Sequence, residues 1–103
     1  MNQTILTAIH ARRLLSIEWH QNLRVVEPYL YGADDCGVEK ICAWQVVGAS
    51  HEEPGWRWFD LREITMLTWL PDCFSDERLL GCQQNCPLSS VYAQLFQDSL
   101  CHR

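Results

Sequence analysis

Apolar and polar residues alternate along much of the first 70 residues. Leu15, Ile17 and Trp19 are separated by polar residues, and this period of two is typical of a half-buried strand. The polar segment 20–22 follows and predicts a turn in which Asn22 adopts the left-handed conformation. The pattern predicts five strands, near residues 14–20, 23–31, 38–47, 56–61 and 64–70.

Helical spacing replaces this alternation near both ends of the chain. Ile5, Leu6 and Ile9 form one apolar stripe and predict a helix over residues 2–13. Near the other end, Ser89 or Ser90 can cap a second predicted helix. The apolar stripe of that helix comprises Val91, Tyr92, Leu95, Phe96 and Leu100.

Five short strands joined by turns predict a small closed barrel, because closure hides the edges of the sheet. We divide the chain into a barrel domain with its leading helix over residues 1–71 and a C-terminal extension over residues 72–103. The terminal helix is expected to pack on the barrel or on a partner. The side chains predicted to form the core are Leu15, Ile17, Val25, Ile41, Ala43, Phe59, Leu61 and Leu67.

Composition narrows the class of protein. The 103 residues suit one domain. The net charge of −5 argues against a general nucleic-acid binder, which needs an excess of Lys and Arg to displace counterions. Five Trp are more than a small barrel can bury, so we expect one or two at a binding surface. The acidic pairs Asp34-Asp35 and Glu52-Glu53 fall in predicted loops, where we expect them to be solvated.

The six Cys are expected to be reduced. The start of the chain lacks the basic and apolar pattern of a signal peptide, and no apolar segment approaches a membrane span of about 20 residues. We therefore expect a cytoplasmic protein with no membrane association and no disulfide. The set Cys73, Cys82, Cys86, Cys101 and His102 lacks the paired two-residue gaps of structural zinc sites, so we expect no metal. No catalytic constellation is present in the sequence, and we expect neither enzymatic activity nor a cofactor.

Four segments in a fixed order carry a resemblance to a known family. They are Ile17-Glu18-Trp19, Arg24 to Pro28, Ala43-Trp44, and Arg57 to Ile64. Together they resemble the WYL domain, a small Sm/SH3-like barrel found mostly in bacterial transcriptional regulators, over roughly residues 5–70. The resemblance implies a mainly β (α+β) fold, namely a five-stranded SH3/Sm-like barrel with a helix at each end.

Three departures separate this chain from the family pattern. The tripeptide that gives the family its name is replaced by Glu39-Lys40-Ile41, which keeps only the apolar third residue. Glu63 stands where the family often has Arg, and Arg62 lies one position earlier. Family members with a known role usually carry a helix-turn-helix domain before the barrel, and here only one short helix precedes it. The chain therefore resembles a stand-alone, diverged relative.

The resemblance implies a ligand-sensing role in transcription regulation. Barrels of this family are thought to present a basic, aromatic-lined face to a nucleotide or nucleic acid. Arg offers a planar fork for phosphate, and aromatic rings stack on bases. The candidate ligand-binding residues are Arg57, Arg24, Trp19, Arg62 and Trp44. The expected ligand is a nucleotide or a short single-stranded nucleic acid.

A second hypothesis is a protein-interaction or dimerisation module without a small-molecule ligand. Surplus Trp residues and an apolar terminal stripe suit a homodimer or a protein partner. The orientation of the arginines separates the two hypotheses. Arg24 and Arg57 converging on one open face would favour sensing, whereas neutralisation by Glu27 or Asp60 would favour protein interaction.

Overall fold

Within residues 1–75, 78 and 86–95, which the computed structural model describes, the protein forms one α-helix, one turn of 3-10 helix and six β-strands. The helix α1 spans Gln3–Ala11, and the 3-10 turn spans Leu61–Glu63. The strands are β1 (Arg13–Trp19), β2 (Asn22–Ala33), β3 (Glu39–Val47), β4 (Gly55–Asp60), β5 (Ile64–Cys73) and β6 (Ser90–Gln94). The five strands predicted from alternation correspond to β1 to β5, so the mainly β class is confirmed.

The predicted N-terminal helix is confirmed as α1. The Asn2 side chain caps it by accepting a hydrogen bond from the Ile5 amide at 3.1 Å. Arg12 ends it in the left-handed conformation, with φ of 55°. The inner stripe contains Ile5 and Ile9, which are fully buried against the sheet.

All strand pairs are antiparallel, and the strands follow the order β4-β3-β2-β1-β5. His20 and Gln21 form the two-residue turn between β1 and β2, with φ of 50° and 68°. Two positive φ angles suit the right-handed twist of a tight hairpin. The prediction that Asn22 would be the left-handed residue is wrong. Asn22 begins β2 and donates from its side chain to the His20 carbonyl at 3.1 Å.

One edge of the long strand β2 is shared by two partners. Its first half pairs with β1, and its second half pairs with β6 through residues 30–33. The Ser89 amide donates to the Ala33 carbonyl at 2.8 Å, and the Leu95 amide donates to the Tyr29 carbonyl at 2.9 Å. The sequence 90–94 therefore completes the ladder that β1 leaves unfinished.

The helix predicted from Val91 onward is corrected by this pairing. Val91, Tyr92 and Leu95 lie in or beside a strand, because backbone groups of β2 offer hydrogen bonds that a helix would leave unused. Ala93 and Leu95 are buried, as a period of two requires. Phe96 and Leu100, the other members of the stripe, lie outside the described residues.

The sheet is not closed. β4 and β5 are the two ends of the strand order, and they do not pair with each other in the described part of the chain. The 3-10 turn carries the chain from the β4 end to the β5 end. The closed barrel expected from the sequence is thus an open sheet of six strands.

The core lies between the inner face of this sheet and α1. Five of the predicted core residues are buried, namely Leu15, Ile17, Ile41, Ala43 and Phe59. The other three, Val25, Leu61 and Leu67, are only half-buried. Val25 pairs with Ser16 and Val47 on the outer face, and the adjacent Val26 is the residue that turns inward. Leu67 lies on the terminal strand β5, and Leu61 lies in the 3-10 turn.

Candidate functional site

Arg24 lies at the centre of a buried polar cluster. It sits opposite Ile17 on the inner face of the sheet, and only 2% of its side chain is exposed. Its Nη1 donates to Gln45 Oε1 at 3.0 Å and forms an ion pair with the Glu52 carboxylate. Its Nε donates to the Trp19 carbonyl at 3.4 Å. The guanidinium is therefore bonded on several sides within the protein itself.

Three donors converge on one carboxylate oxygen, Glu52 Oε1. Besides Arg24, Gln45 Nε2 donates at 2.9 Å, and the Ala49 amide donates at 3.2 Å. Gln45 is fully buried on β3, whereas the Glu52 side chain is 32% exposed on the loop 48–54 between β3 and β4. Glu52 is exposed as a residue, as expected for a loop, but its carboxylate also bonds the buried donors and so closes the loop over the cluster.

The same contacts keep Glu52 ionised. The hydrogen bond from Gln45 is the largest cause that lowers the pKa of Glu52, and Arg24 and Ala49 act in the same direction against partial desolvation. A lowered pKa in the folded state stabilises the fold above the ordinary pKa of Glu. That contribution is lost as the pH falls through the lowered value.

Replacing Gln45 with Leu is expected to raise the pKa of Glu52 towards its ordinary value, because the largest cause of the lowering is removed. A carboxyl-detected NMR pH titration measures this. Asp34 is the internal control. Its pKa is lowered chiefly by the Val38 amide, so it should titrate identically in both proteins. An unchanged Glu52 titration would contradict the role given to Gln45.

Two of the candidate ligand-binding residues, Trp19 and Arg24, lie in contact with each other. The Arg24 guanidinium lies 4.7 Å from the centroid of the Trp19 ring. The ring also stacks on His20 at 3.8 Å and contacts the edge of Phe59 at 5.1 Å. Its Nε1 donates to Glu63 at 3.2 Å. Trp19 therefore forms one wall of the cluster and links it to the 3-10 turn.

Arg57 holds the same loop from the neighbouring strand. It shares the inner face with Ala43 and donates from Nη2 to the Glu53 carbonyl at 2.6 Å and from Nη1 to the Trp56 carbonyl at 3.1 Å. Arg24 and Arg57 thus engage adjacent residues, Glu52 and Glu53. The two arginines converge on a segment of the chain itself and not on an open face.

Arg62 and Trp44 lie apart from this cluster. Arg62 in the 3-10 turn is bound by Asp60, with Nη2 to Oδ2 at 2.8 Å, and this contact lowers the pKa of Asp60. Trp44 and Gln45 lie on opposite faces of β3, because neighbouring residues of a strand point to opposite sides. The Arg78 guanidinium lies 4.4 Å from its ring and also pairs with Glu27 at 2.8 Å.

Sequence reasoning missed Gln45 and Glu52 as members of the cluster. Gln45 gives one usable signal, since it is a polar residue at an inward position of a strand and must find partners there. Glu52 gives none, because local pattern does not specify where a loop folds back. The residues found in advance, Arg24 and Trp19, came from the family resemblance.

The metal-ligand residues among the described residues do not make a built site. One carboxylate oxygen each of Asp34 and Asp35 and the Cys36 Sγ lie within 4.8 Å of one another, but Asp35 and Cys36 are exposed. The Asp34 carboxylate accepts the Cys36 and Val38 amides at 2.9 and 3.0 Å, which structures its own turn. Of the cysteine set considered for zinc, Cys73 and Cys86 are exposed with free thiols. Its other members, Cys82, Cys101 and His102, lie outside the described residues.

Comparison with protein-family models, curated proteins and solved structures gives no significant match. Among the described residues, no helix is long and apolar enough to span a membrane. A function for this chain therefore rests on the residues and distances described above.

Proposed function

We propose that this chain is a WYL-like module of SH3/Sm-like fold that acts in protein interaction, and that it assembles by strand addition at the free edge of β5. The observation that carries the proposal is the stretch 64–70 of this edge, which is uncharged and partly apolar. Two of the predicted ligand-binding arginines are already paired within the chain, Arg24 with Glu52 and Arg62 with Asp60. These pairs support protein interaction over nucleotide binding. A nucleotide would have to displace these carboxylates, and nucleotide sensing stays a prediction.

The strand order supports the SH3/Sm-like assignment. Four strands follow one another as a meander, and β5 returns to lie beside β1 after the 3-10 turn. This is the order in which a small five-stranded barrel is built. A sheet left open between β4 and β5 presents unpaired backbone groups along both end strands.

The middle of the β5 edge lacks the usual protection against pairing, whereas Pro71, Asp72 and a register shift near each end of the strand confine the free stretch to that middle part. Natural edge strands carry charged side chains, Pro or bulges that discourage a further strand. Residues 64–70 contain no Asp, Glu, Lys, Arg or Pro, and Pro71 limits the free stretch at its far end. The net charge of −5 therefore lies elsewhere on the chain, and this edge can approach another chain without direct charge repulsion.

A hollow beside this edge offers room for a partner's side chains. It has a volume of about 400 Å³ and is lined by Thr4 of α1 and by Leu67, Thr68 and Trp69 of β5. Trp69 is 41% exposed and packs under the Arg13 guanidinium at 4.4 Å. An added strand would place alternate side chains in this hollow, which is how strand addition gains specificity.

A second copy of the chain is the partner that fits this edge. In an antiparallel pairing centred on Thr68, Leu67 of one copy lies opposite Trp69 of the other. Each copy then supplies both the hollow and the apolar side chains that fill it. In this register the uncharged residues 66–70 of one copy pair with residues 66–70 of the other, and Pro71 and Asp72 lie beyond them.

Replacing Thr68 with Lys is expected to convert the dimer to a monomer, because the two-fold axis places the two lysines directly opposite each other. Thr68→Glu should act in the same way. Mixing the two variants should restore a dimer that contains one copy of each. Light scattering coupled to size-exclusion chromatography measures the masses, and native mass spectrometry identifies the mixed species.

Val91→Lys is the matched control, because it adds the same charge at an exposed position of β6 and should leave the dimer intact. A wild-type protein that stays monomeric throughout the micromolar range would overturn the proposal. Dimers of both single variants, without a mixed species, would place the interface elsewhere and overturn it as well.

A further inference from the structure

We infer that Arg24, Gln45 and the Ala49 amide form a carboxylate-binding site that Glu52 occupies from within the chain. This site is separate from the β5 edge and adds ligand recognition to the proposed protein interaction. A free carboxylate can take the place of Glu52 when the loop 48–54 lifts away. The ligand class is a small monocarboxylate.

The side-chain donors of this site are held in place by strands, whereas the carboxylate that occupies it lies on an exposed loop. Arg24 and Gln45 are 2% and 0% exposed and project from neighbouring strands. Both donate to the same oxygen of Glu52, which is 32% exposed. Buried donors in fixed strands form a rigid receptor, and a half-exposed carboxylate on a loop is the exchangeable partner.

Gly48 allows the loop to lie over this receptor. A Cβ atom at this position would overlap Gln45 Nε2 and would lie 2.6 Å from Glu52 Oε1. The missing side chain therefore gives the carboxylate its room. A small ligand carboxylate needs only the volume that the carboxylate of Glu52 already fills.

Few other contacts hold the loop in the described part of the chain. The Glu52 amide donates to the Ala49 carbonyl at 2.9 Å within the loop, and Arg57 donates to the Glu53 carbonyl. Residues 50–54 are exposed. Loss of the Glu52 contact would therefore release the loop tip while Arg57 still holds its end, so occupancy of the site sets the position of the loop.

The position of Glu52 in the chain also sets the ligand affinity that can be observed. An occupant on a short loop has a high effective concentration, of the order of millimolar or above for short flexible tethers. A free carboxylate therefore competes poorly with the wild-type protein. Removing the Glu52 side chain leaves the buried Arg24 with its bonds to Gln45 and Trp19 but without a carboxylate counter-charge, which a free carboxylate can supply.

The test is acetate binding by the full-length Glu52→Ala variant. Acetate should shift the side-chain NMR signals of Arg24 Nε and Gln45 Nε2 and should raise the melting temperature. At ten times its Kd, acetate multiplies the folding equilibrium constant by about elevenfold. Sodium chloride at equal ionic strength controls for screening.

Glu53→Ala is the matched control, because it removes a neighbouring carboxylate but keeps the backbone carbonyl that binds Arg57. It should respond to acetate no more than the wild-type protein does. If Glu52→Ala does not fold, Glu52→Gln keeps the side-chain volume, and its weaker amide acceptor should still yield to acetate. Equal acetate responses in the Glu52 and Glu53 variants would overturn the site. A response to phosphate without one to acetate would overturn the ligand class.

Discussion

Replacing Phe59 with Ala is expected to lower the free energy of unfolding by about 3–5 kcal/mol, as large truncations in cores usually do. Phe59 is fully buried, pairs with Ile41 across β3 and β4, and contacts the Trp19 ring. The truncation leaves a cavity beside the wall that supports the Arg24 cluster. A loss of this size is a large fraction of the stability of a small domain. Urea unfolding followed by tryptophan fluorescence measures it.

Leu23→Ala provides the control for this prediction. Leu23 is exposed at the start of β2, so the same kind of truncation removes little buried surface. Its effect should stay within about 0.5 kcal/mol, as is usual for surface substitutions. If Phe59→Ala costs less than about 1 kcal/mol, the packing described for the inner face is wrong.

Gly32→Ala is the second substitution with a large expected effect. A Cβ atom on Gly32 would overlap the carbonyl oxygen of Ser90 in β6, and backbone cannot move aside as easily as a side-chain tip. We expect a destabilisation of about 1–3 kcal/mol, typical of overpacking, together with loss of the β2–β6 pairing. Hydrogen exchange should show faster exchange of the Ser89 and Leu95 amides, which donate to β2.

Gly55→Ala is the matched substitution on another strand. The Cβ atom there would lie 2.9 Å from the end of the flexible Arg57 side chain, which can shift. Its exchange rates at β6 should equal those of the wild-type protein. Unchanged exchange at Ser89 and Leu95 in Gly32→Ala would show that β6 does not depend on close approach at this glycine.

Elements that depend on short-range interactions are predictable from this sequence, whereas elements that depend on long-range contacts are not. Strands β1 to β5 can be predicted from short-range periodicity, and α1 from its apolar stripe and the cap at Asn2. The segment 90–94 does not, because an apolar pattern this short fits a helix or a strand, and a vacant edge of β2 decides the outcome. Val26, and not Val25, points into the core, and this choice depends on the strand register and not on composition.

The candidate site shows the same limit. Arg24 and Trp19 come together because β1 and β2 are joined by a tight turn, so their proximity follows from adjacent elements. Glu52 reaches the cluster through the path of a loop, and neither its sequence nor its charge predicts that path. The sequence singled out Arg24, Arg57 and Arg62 as ligand-binding candidates, which stays a prediction, whereas their partners within the chain depend on the three-dimensional fold.

The shared edge of β2 has a consequence for the order in which the protein folds. Pairing of β1 with β2 closes only a tight turn, whereas pairing of Tyr31 with Ala93 must bring distant parts of the chain together. During synthesis, the second half of β2 emerges from the ribosome long before β6 does. Until then it remains an open strand at which a nascent chain could pair wrongly with a neighbour.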